Sequence, residues 1–320
     1  MTNYIIRRLF QAIPLLLGIT IISFFIMQLA PGDYFTKLQM NPEISKETLD
    51  QLRIKFGLDK PLIVQYLKWL NGIIHFDFGT SFVYQIPVAN LIKERLLNTL
   101  LLSLTAMFVV WLISIPLGIL CAKNQYKYID QLLSGISFIG ISLPTFFFAF
   151  LLLYLVSNTG ILPTGGMIDL GHNEYTLWGK FIDYARHMVI PVAVLAFASI
   201  AGMQRIMRAN ILDELKLPYV ILARAKGLSE NKVIYKHALR NAVNPMITIF
   251  GYQLSALLSG AALTEIILSW PGLGRLILDA LLQQDIYVVM ASLLVSSVLL
   301  IIGNLIADIL LVWTDPRIRQ

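Results

Sequence analysis

LNTLLLSLTAMFVVWLISIPLGILC, residues 97–121, contains no Asp, Glu, Lys or Arg in 25 positions. At 1.5 Å per residue such a helix reaches about 37 Å, enough to cross the roughly 30 Å hydrocarbon core of a bilayer. A charge at the centre of a span costs about 2.5–3.5 kcal/mol on an insertion scale, so long charge-free runs rarely arise by chance. Five more occur, at 9–29, 132–157, 187–204, 241–264 and 286–307. The run at 187–204 is the short one, and it extends to Met207 if Arg205 snorkels or faces protein. The expectation is an all-α membrane protein with six transmembrane helices.

Composition agrees. Of 320 residues, 57% are hydrophobic and 14% charged, against about 45–50% and 25% for a soluble domain. Mean hydropathy is +0.71. These values exclude a soluble enzyme, a disordered chain and a nucleic-acid-binding domain as first readings. The single cysteine, Cys121, allows no intramolecular disulfide or cysteine metal cluster and reads as a buried, inert thiol. The first apolar run spans about 21 residues, longer than a signal-peptide core of about 7–15, and Leu29-Ala30-Pro31 is a poor cleavage site. It reads as a retained helix.

Lysine and arginine set the orientation. With the N-terminus in the cytoplasm, 14 of the 25 Lys and Arg fall on inner segments, against six of the 19 Asp and Glu. The outer segments then carry a slight negative excess, and the net charge of +6 is a topology signal rather than a nucleic-acid footprint. Both termini are expected inside.

Three connections are long. Residues 31–96 lie outside, with a turn at Gly57-Leu58-Asp59-Lys60-Pro61, a helical pattern over Leu62–Phe76 that includes Tyr66 and Trp69, and alternating aromatics from Phe76 to Phe82. Residues 158–186 form a glycine-rich outer loop. Loops of this length usually serve a function, here contact with a docking protein or shaping of an entrance. Residues 208–240 lie inside. Pro218 suits a first helical turn, Gly227 permits a left-handed residue, and Ser229 is placed to cap a second helix. There Lys232, Lys236 and Arg240 follow at i, i+4 and i+8, opposite Ile234, Ala238 and Ala242. A basic helix lying on anionic lipid explains the lysine stripe. A knob of two short helices about a glycine bend, inserted into a groove on a cytoplasmic partner, explains the whole segment.

Several chemistries have no residues to carry them. There is no phosphate-binding Gly-x-x-x-x-Gly-Lys-Ser/Thr loop, no His-Glu-x-x-His pair and no Gly-x-Ser-x-Gly elbow. Gly272-Leu273-Gly274 has no preceding strand to make it a nucleotide site. His75, His172, His187 and His237 are scattered, so no metal site is expected, and Met246 and Met290 read as packing. The span centres lack the ionisable residues of ion-coupled transporters; Asp308, near the inner end of the last run, reads as a packing or interfacial residue. Pro14, Pro116, Pro144 and Pro191 interrupt the spans, and Ser255, Ser259 and Gly260 allow close helix approach.

The segment Tyr219-Val-Ile-Leu-Ala223-Arg224-Ala225-Lys226-Gly227-Leu228-Ser229, followed by His237-Ala-Leu-Arg240-Asn-Ala242, resembles the EAA loop of ABC importer permeases, and more narrowly that of the dipeptide/oligopeptide/nickel branch. Tyr4 to Leu9, Leu29-Ala30-Pro31-Gly32-Asp33, Gly57 to Pro61, Phe78-Gly79-Thr80-Ser81, Ser269 to Leu276 and Asp315-Pro316-Arg317 extend the resemblance nearly end to end. Two positions depart from the general pattern: Ile221-Leu222-Ala223 stand where Glu-Ala-Ala opens the motif, and Arg240 stands where proline is common.

The resemblance implies a type I ABC importer permease fold with an extracytoplasmic insertion between helices 1 and 2. The chain would divide into residues 1–30, an outer region 31–96, and a permease core 97–320 that includes the coupling loop 208–244. Tyr219, Ala223, Arg224, Ala225, Lys226, Gly227, Leu228, Ser229, Glu230, His237 and Arg240 would meet the ATPase. The implied partners are a second, homologous permease, two ATPase subunits that bind the ATP and Mg²⁺ this chain has no site for, and an extracytoplasmic binding protein. The implied substrate is a di- or oligopeptide, with nickel or a metal chelate as the alternative. A stand-alone secondary transporter is the competing class. The implied location is a bacterial or archaeal cytoplasmic membrane.

Overall fold

The computed structural model describes residues 2–29, 31–39 and 45–314; Ala30 and the Asp315-Pro316-Arg317 motif lie outside them. The described residues are overwhelmingly helical, and their β pairing is a single bridge between Thr80 and Pro87. In order the helices are α1 (Thr2–Leu29), α2 (Tyr34–Leu38), α3 (Lys46–Phe56), α4 (Leu62–Ile74), α5 (Val88–Lys123), α6 (Tyr128–Ser142), α7 (Thr145–Thr159) and α8 (Leu177–Glu214). There follow α9 (Pro218–Ala225), α10 (Glu230–Lys232), a π-helical turn (Val233–Ala238), α11 (Leu239–Ala242), α12 (Asn244–Ile267), α13 (Leu273–Gln283) and α14 (Ile286–Thr314).

Among the described residues, α1, α5, α8 and α14 are long and apolar enough to cross a membrane, and the pair α6–α7 makes a fifth candidate. The apolar run 241–264 is covered by α12, 24 residues long; the side chains of Ser255, Ser259 and Gly260 lie outside the described ones. Two expectations change. The run 132–157 is not one rod but two helices inclined by 105°. Pro144 disfavours helical backbone at Leu143 and has no N–H for the ladder, so α6 ends at Ser142 and α7 restarts at Thr145. Conversely, α8 spans 38 residues where the charge-free run covers 187–204, because a helix continues past the lipid wherever its charges find water or partners. Arg205, for instance, stacks 4.5 Å from the Phe138 ring centroid.

The chain divides into two compact units, residues 1–99 with 271–301 and residues 100–270 with 302–320. The first unit is built on aromatic rings. Phe24 of α1, Phe35, Phe56, Tyr66, Trp69 and Phe82 are buried together with Ile286 and Met290. Phe56 meets Phe82 edge-on at 4.7 Å, an arrangement the ring quadrupoles favour. Phe82 is thus a core residue, whereas Phe76 is exposed, so the aromatics at 76–82 do not share one face. The Gly57 turn forms as expected: at φ +71° it ends α3, and Leu58 N–H reaches the Arg53 carbonyl at 2.9 Å. Buried Asp285 is held by the Ser81 hydroxyl at 2.5 Å and the Val83 N–H at 3.2 Å. The Thr99 hydroxyl accepts the first free N–H of α13, from Leu273, at 2.8 Å.

In the second unit α6 packs along α8, and α8 in turn meets α5. Arg208 of α8 forms a two-pronged pair with buried Asp130 of α6, both contacts at 2.7 Å, and Tyr126 N–H adds a third at 2.9 Å. Farther along, Gln204 accepts from Ser137 and donates to the buried Cys121 sulfur at 2.9 Å. Gly118 lies against Met207, and Gly140 against Ala201. A stripe of small residues lets these backbones approach closely.

A Cβ at Gly118 would stand 2.6 Å from Met207 Cβ, and no such contact exists at Gly135. Gly118→Ala is therefore expected to destabilise by about 1–3 kcal/mol, and Gly135→Ala to be neutral or slightly stabilising; thermal unfolding in detergent separates the two. Asp130→Ala strands the Arg208 guanidinium. A pair so broken costs about 3–5 kcal/mol, and the lower end applies because Arg208 keeps 24% of its side chain exposed. The same melt measures it.

Candidate functional site

The segment joining α8 to α12 folds as a compact knob. α8 ends at Glu214, and Pro218 opens α9 at the position where a missing N–H costs nothing. The α9 helix closes with Gly227 at φ +78°, the Gly227 N–H bonding the Arg224 carbonyl at 2.9 Å. No atom stands within 4 Å of where a Gly227 Cβ would be, so the backbone dihedral alone requires glycine here. The chain turns, and α10, the π-helical turn and α11 carry it back to α12. Val220, Ala223 and Val233 form a small core, with Leu215 and Leu228 packed against it.

Polar contacts lock the bend. Arg224 grips Glu230 across Gly227 with two contacts, at 3.0 and 2.5 Å. Fork-to-carboxylate pairing of this kind fixes geometry as well as charge. Hydrogen bonding by Arg224 lowers the Glu230 pKa below its ordinary 4.5, and Glu230 raises that of Arg224. At the base, the Tyr219 hydroxyl bonds the Glu214 carboxylate, accepts from Asn241 Nδ2 at 2.8 Å and lies 3.4 Å from the His237 carbonyl. Burial and the Glu214 carboxylate raise the Tyr219 pKa. Lys123, at the end of α5, donates to Asn231 at 2.8 Å.

The sequence-derived residues do not all do the same work. Ala223 is buried and Leu228 and His237 are half-buried, so these three hold the knob together. Ala225, Lys226, Gly227, Ser229 and Arg240 are exposed. Ser229 occupies the N-cap position in backbone geometry, but its hydroxyl makes no cap bond; its carbonyl accepts the Val233 N–H instead. The two stripes form as expected: Ile234, Ala238 and Ala242 are buried, and Lys232, Lys236 and Arg240 face outward. The π-helical turn was not anticipated. It buries Val233 beside Ile234, which the 3.6-residue period does not foresee.

Sequence reasoning also missed Ile221 and Leu222. They stand in the middle of α9, 53% and 56% exposed, and the exposed Ala225 and Gly227 follow them in the chain. They are large aliphatic side chains outside the knob's hydrophobic core.

Comparison with known proteins supplies the family. Residues 114–320 match the family described as "Binding-protein-dependent transport system inner membrane component", and residues 1–105 match "Binding-prot-dependent transport system membrane comp, N-term". The chain belongs to this family of multi-pass inner-membrane transport components. Over 321 residues, covering all of both chains, it is 48% identical to the oligopeptide transport system permease protein AppB of Bacillus subtilis. Over 337 residues, covering all of this chain and 99% of the other, it is 37% identical to the dipeptide transport system permease protein DppB of Escherichia coli. A putative peptide transport system permease protein of Brucella abortus is 35% identical over 320 residues, again with all of this chain and 99% of the other covered.

The Arg224–Glu230 clamp has a pH signature. A carboxylate whose folded pKa is lowered contributes fully at neutral pH and loses that contribution as pH falls through the lowered value. Glu230 should therefore titrate below 4.5, and Arg224→Met should return it toward that value, as read by 13C NMR of carboxyl-labelled glutamate assigned with Glu230→Gln. Both partners are substantially exposed, so Glu230→Gln should change stability by less than about 1 kcal/mol.

Proposed function

We propose that this chain is one membrane-spanning half of an ATP-driven importer of di- and oligopeptides, and that its 208–244 knob is the coupling element. The observation that carries this reading is the knob itself: a glycine-hinged, ion-pair-locked pair of short helices that exposes Ile221 and Leu222, in a chain of the binding-protein-dependent transport family. In this reading α1, α5, the broken α6–α7 pair, α8, α12 and α14 are the six spans of a type I permease. Residues 31–96 form its outer insertion, and both termini face the cytoplasm of a bacterial or archaeal cell. A second, similar permease completes the path. Two ATPase subunits hold ATP and Mg²⁺, and a binding protein delivers substrate from outside.

In this mechanism Tyr219, Ala225, Lys226, Gly227, Ser229, Glu230 and Arg240 touch or border the ATPase cleft, with Ile221 and Leu222 at the centre of the contact. Ala223, Arg224, Leu228 and His237 keep the knob rigid. Rigidity matters because a soft elbow would absorb the motion delivered by the ATPases instead of passing it to α8 and α12. The peptide substrate is supported by the printed names of relatives that match this chain from end to end.

Gly227→Asp is the direct test. With open space at the Cβ position, the variant should insert and fold, at a cost of about 1–2 kcal/mol for a side chain in the left-handed region. It places a carboxylate on the partner face. In vesicles reconstituted with the second permease, the ATPases and the binding protein, substrate-stimulated ATP hydrolysis and labelled-peptide uptake should fall to background. Wild-type stimulation by the variant would overturn the coupling role. Uptake of nickel but not peptide, or any uptake without the ATPases, would overturn the substrate or the class.

A further inference from the structure

Between α6 and α8 lies a cavity of about 610 Å³, within the size range of ligand pockets. Its walls are one stripe of each helix: Ser134, Phe138 and Ile141 of α6, and Gly202, Arg205 and Ala209 of α8. That is the spacing of a single helix face. The helices run antiparallel here, because Asp130 meets Arg208, Ser137 meets Gln204 and Gly140 lies against Ala201.

These pairings grade the cavity by depth. Ser134, Arg205, Arg208 and Ala209 stand where the charge-free runs 132–157 and 187–204 stop. Phe138 lies farther into the apolar zone, and Ile141 and Gly202 lie deepest. No atom stands within 4 Å of where a Gly202 Cβ would be, so the deep end is open. One end of the cavity is basic and the other apolar.

Arg205 is the charge that the chain leaves unused. Its guanidinium sits over the Phe138 ring, 4.5 Å from the centroid. A cation on a ring face keeps its edge N–H donors free for an acceptor. Among the described residues Arg205 makes no hydrogen bond and no ion pair. Arg208 differs, since Asp130 takes two of its N–H groups, yet 24% of its side chain stays exposed beside the same cavity. Two guanidiniums against one carboxylate leave one positive charge in place. An ionised side chain at the margin of a span, with no acidic partner in its own chain, marks a functional site.

We propose that this cavity binds an anionic phospholipid, its phosphate on Arg205 and an acyl chain along Phe138, Ile141 and Ile206. The planar guanidinium fork matches phosphate oxygens, and a basic pocket between spans on the cytoplasmic side suits anionic headgroups. Charge at the boundary and apolar surface below it reproduce the polarity gradient of the lipid itself. A peptide in transit fits worse: its main-chain N–H and C=O groups need partners at every depth, and the deep end presents aliphatic and aromatic side chains. The choice of inner leaflet rests on the orientation proposed above; the binding itself does not. A lipid held here would bridge α6 and α8 about two and a half turns before the knob begins.

The test uses the full chain, delipidated in neutral detergent, and needs no transport readout, so it stands apart from the coupling test. Native mass spectrometry and thermal melts read the binding of phosphatidylglycerol, of phosphatidylcholine with the same acyl chains, and of inorganic phosphate alone. Phosphatidylglycerol should be retained about fivefold better than phosphatidylcholine, the scale of one basic residue at a headgroup. It should raise the melting temperature, and inorganic phosphate at equal concentration should not. Arg205→Gln should erase the headgroup preference and Arg205→Lys should keep part of it. Gly202→Phe fills the open deep end, leaves Arg205 in place, and should weaken retention of both lipids. A wild type without headgroup preference, or a preference and retention unchanged in both Arg205→Gln and Gly202→Phe, would overturn the proposal. So would inorganic phosphate stabilising the chain as well as the lipid does. So would lipid that binds the isolated chain but is absent from the transporter isolated intact, since a second permease would then cover the groove.

Discussion

Inside a bilayer every main-chain N–H and C=O must find its partner within the chain, because no water is there to supply one. The long helices α1, α5, α8 and α14 follow from that constraint, and so does the placement of side-chain polarity. Several polar groups buried in the second unit are paired across helices: Asp130 with Arg208, Ser137 with Gln204, Gln204 with Cys121. Leaving one member of such a set alone costs more than the pair gains, so each pair fixes the register of α6, α5 and α8 against one another. The α6–α7 break obeys the same rule. The Leu143 N–H still reaches the Ile139 carbonyl at 3.0 Å and the Phe148 N–H reaches Pro144 at 3.1 Å, so the bend leaves these groups satisfied.

Much of this was visible in the residues alone. Charge-free runs located the helices because the cost of a buried charge is large and local. Gly227 and the stripes of Ile234, Ala238, Ala242 against Lys232, Lys236, Arg240 located the knob, because positive φ and amphipathic period are both read over a few residues. The failures were of another kind. A proline within an apolar run reads equally as a gentle kink or a break, and only packing decides for 105° at Pro144. The extent of α8 was underestimated because Lys180, Asp183, Arg186, Arg205 and Arg208 look like loop residues until their surroundings are known. Ser229 shows the reverse error, a good capping residue whose hydroxyl is not used.

The site illustrates why function is harder to read than fold. Binary patterning says that apolar residues go inside, and it is silent about Ile221 and Leu222, which do not. Their exposure becomes informative only once the knob's own core is seen to be complete with Val220, Ala223 and Val233. Two large aliphatic side chains left over from a filled core are what the proposed ATPase contact would cover. The same holds for His172 and His187: nothing in either local sequence marks them, and their meaning comes from the carboxylate between them.

Both features adjoin α8: His187 lies in its third turn, and the knob follows its last residue, Glu214. About 27 residues separate His187 from Glu214, or roughly 40 Å of helix. α8 is one continuous helix over that stretch, with Pro191 inside it, so its two ends are joined by unbroken helical main chain. The knob is anchored to its last turn through Tyr219 and Glu214, and the middle is clasped to α6 by Asp130 and Gln204. Force applied at the knob therefore meets resistance along the α6 seam, and whatever fixes the loop after α7 to the first turns of α8 adds to that resistance at the far end. Transmission along α8 is set by how firmly it is held at these three places, which makes its charged and polar residues, few as they are, the ones that decide how the helix responds to a load.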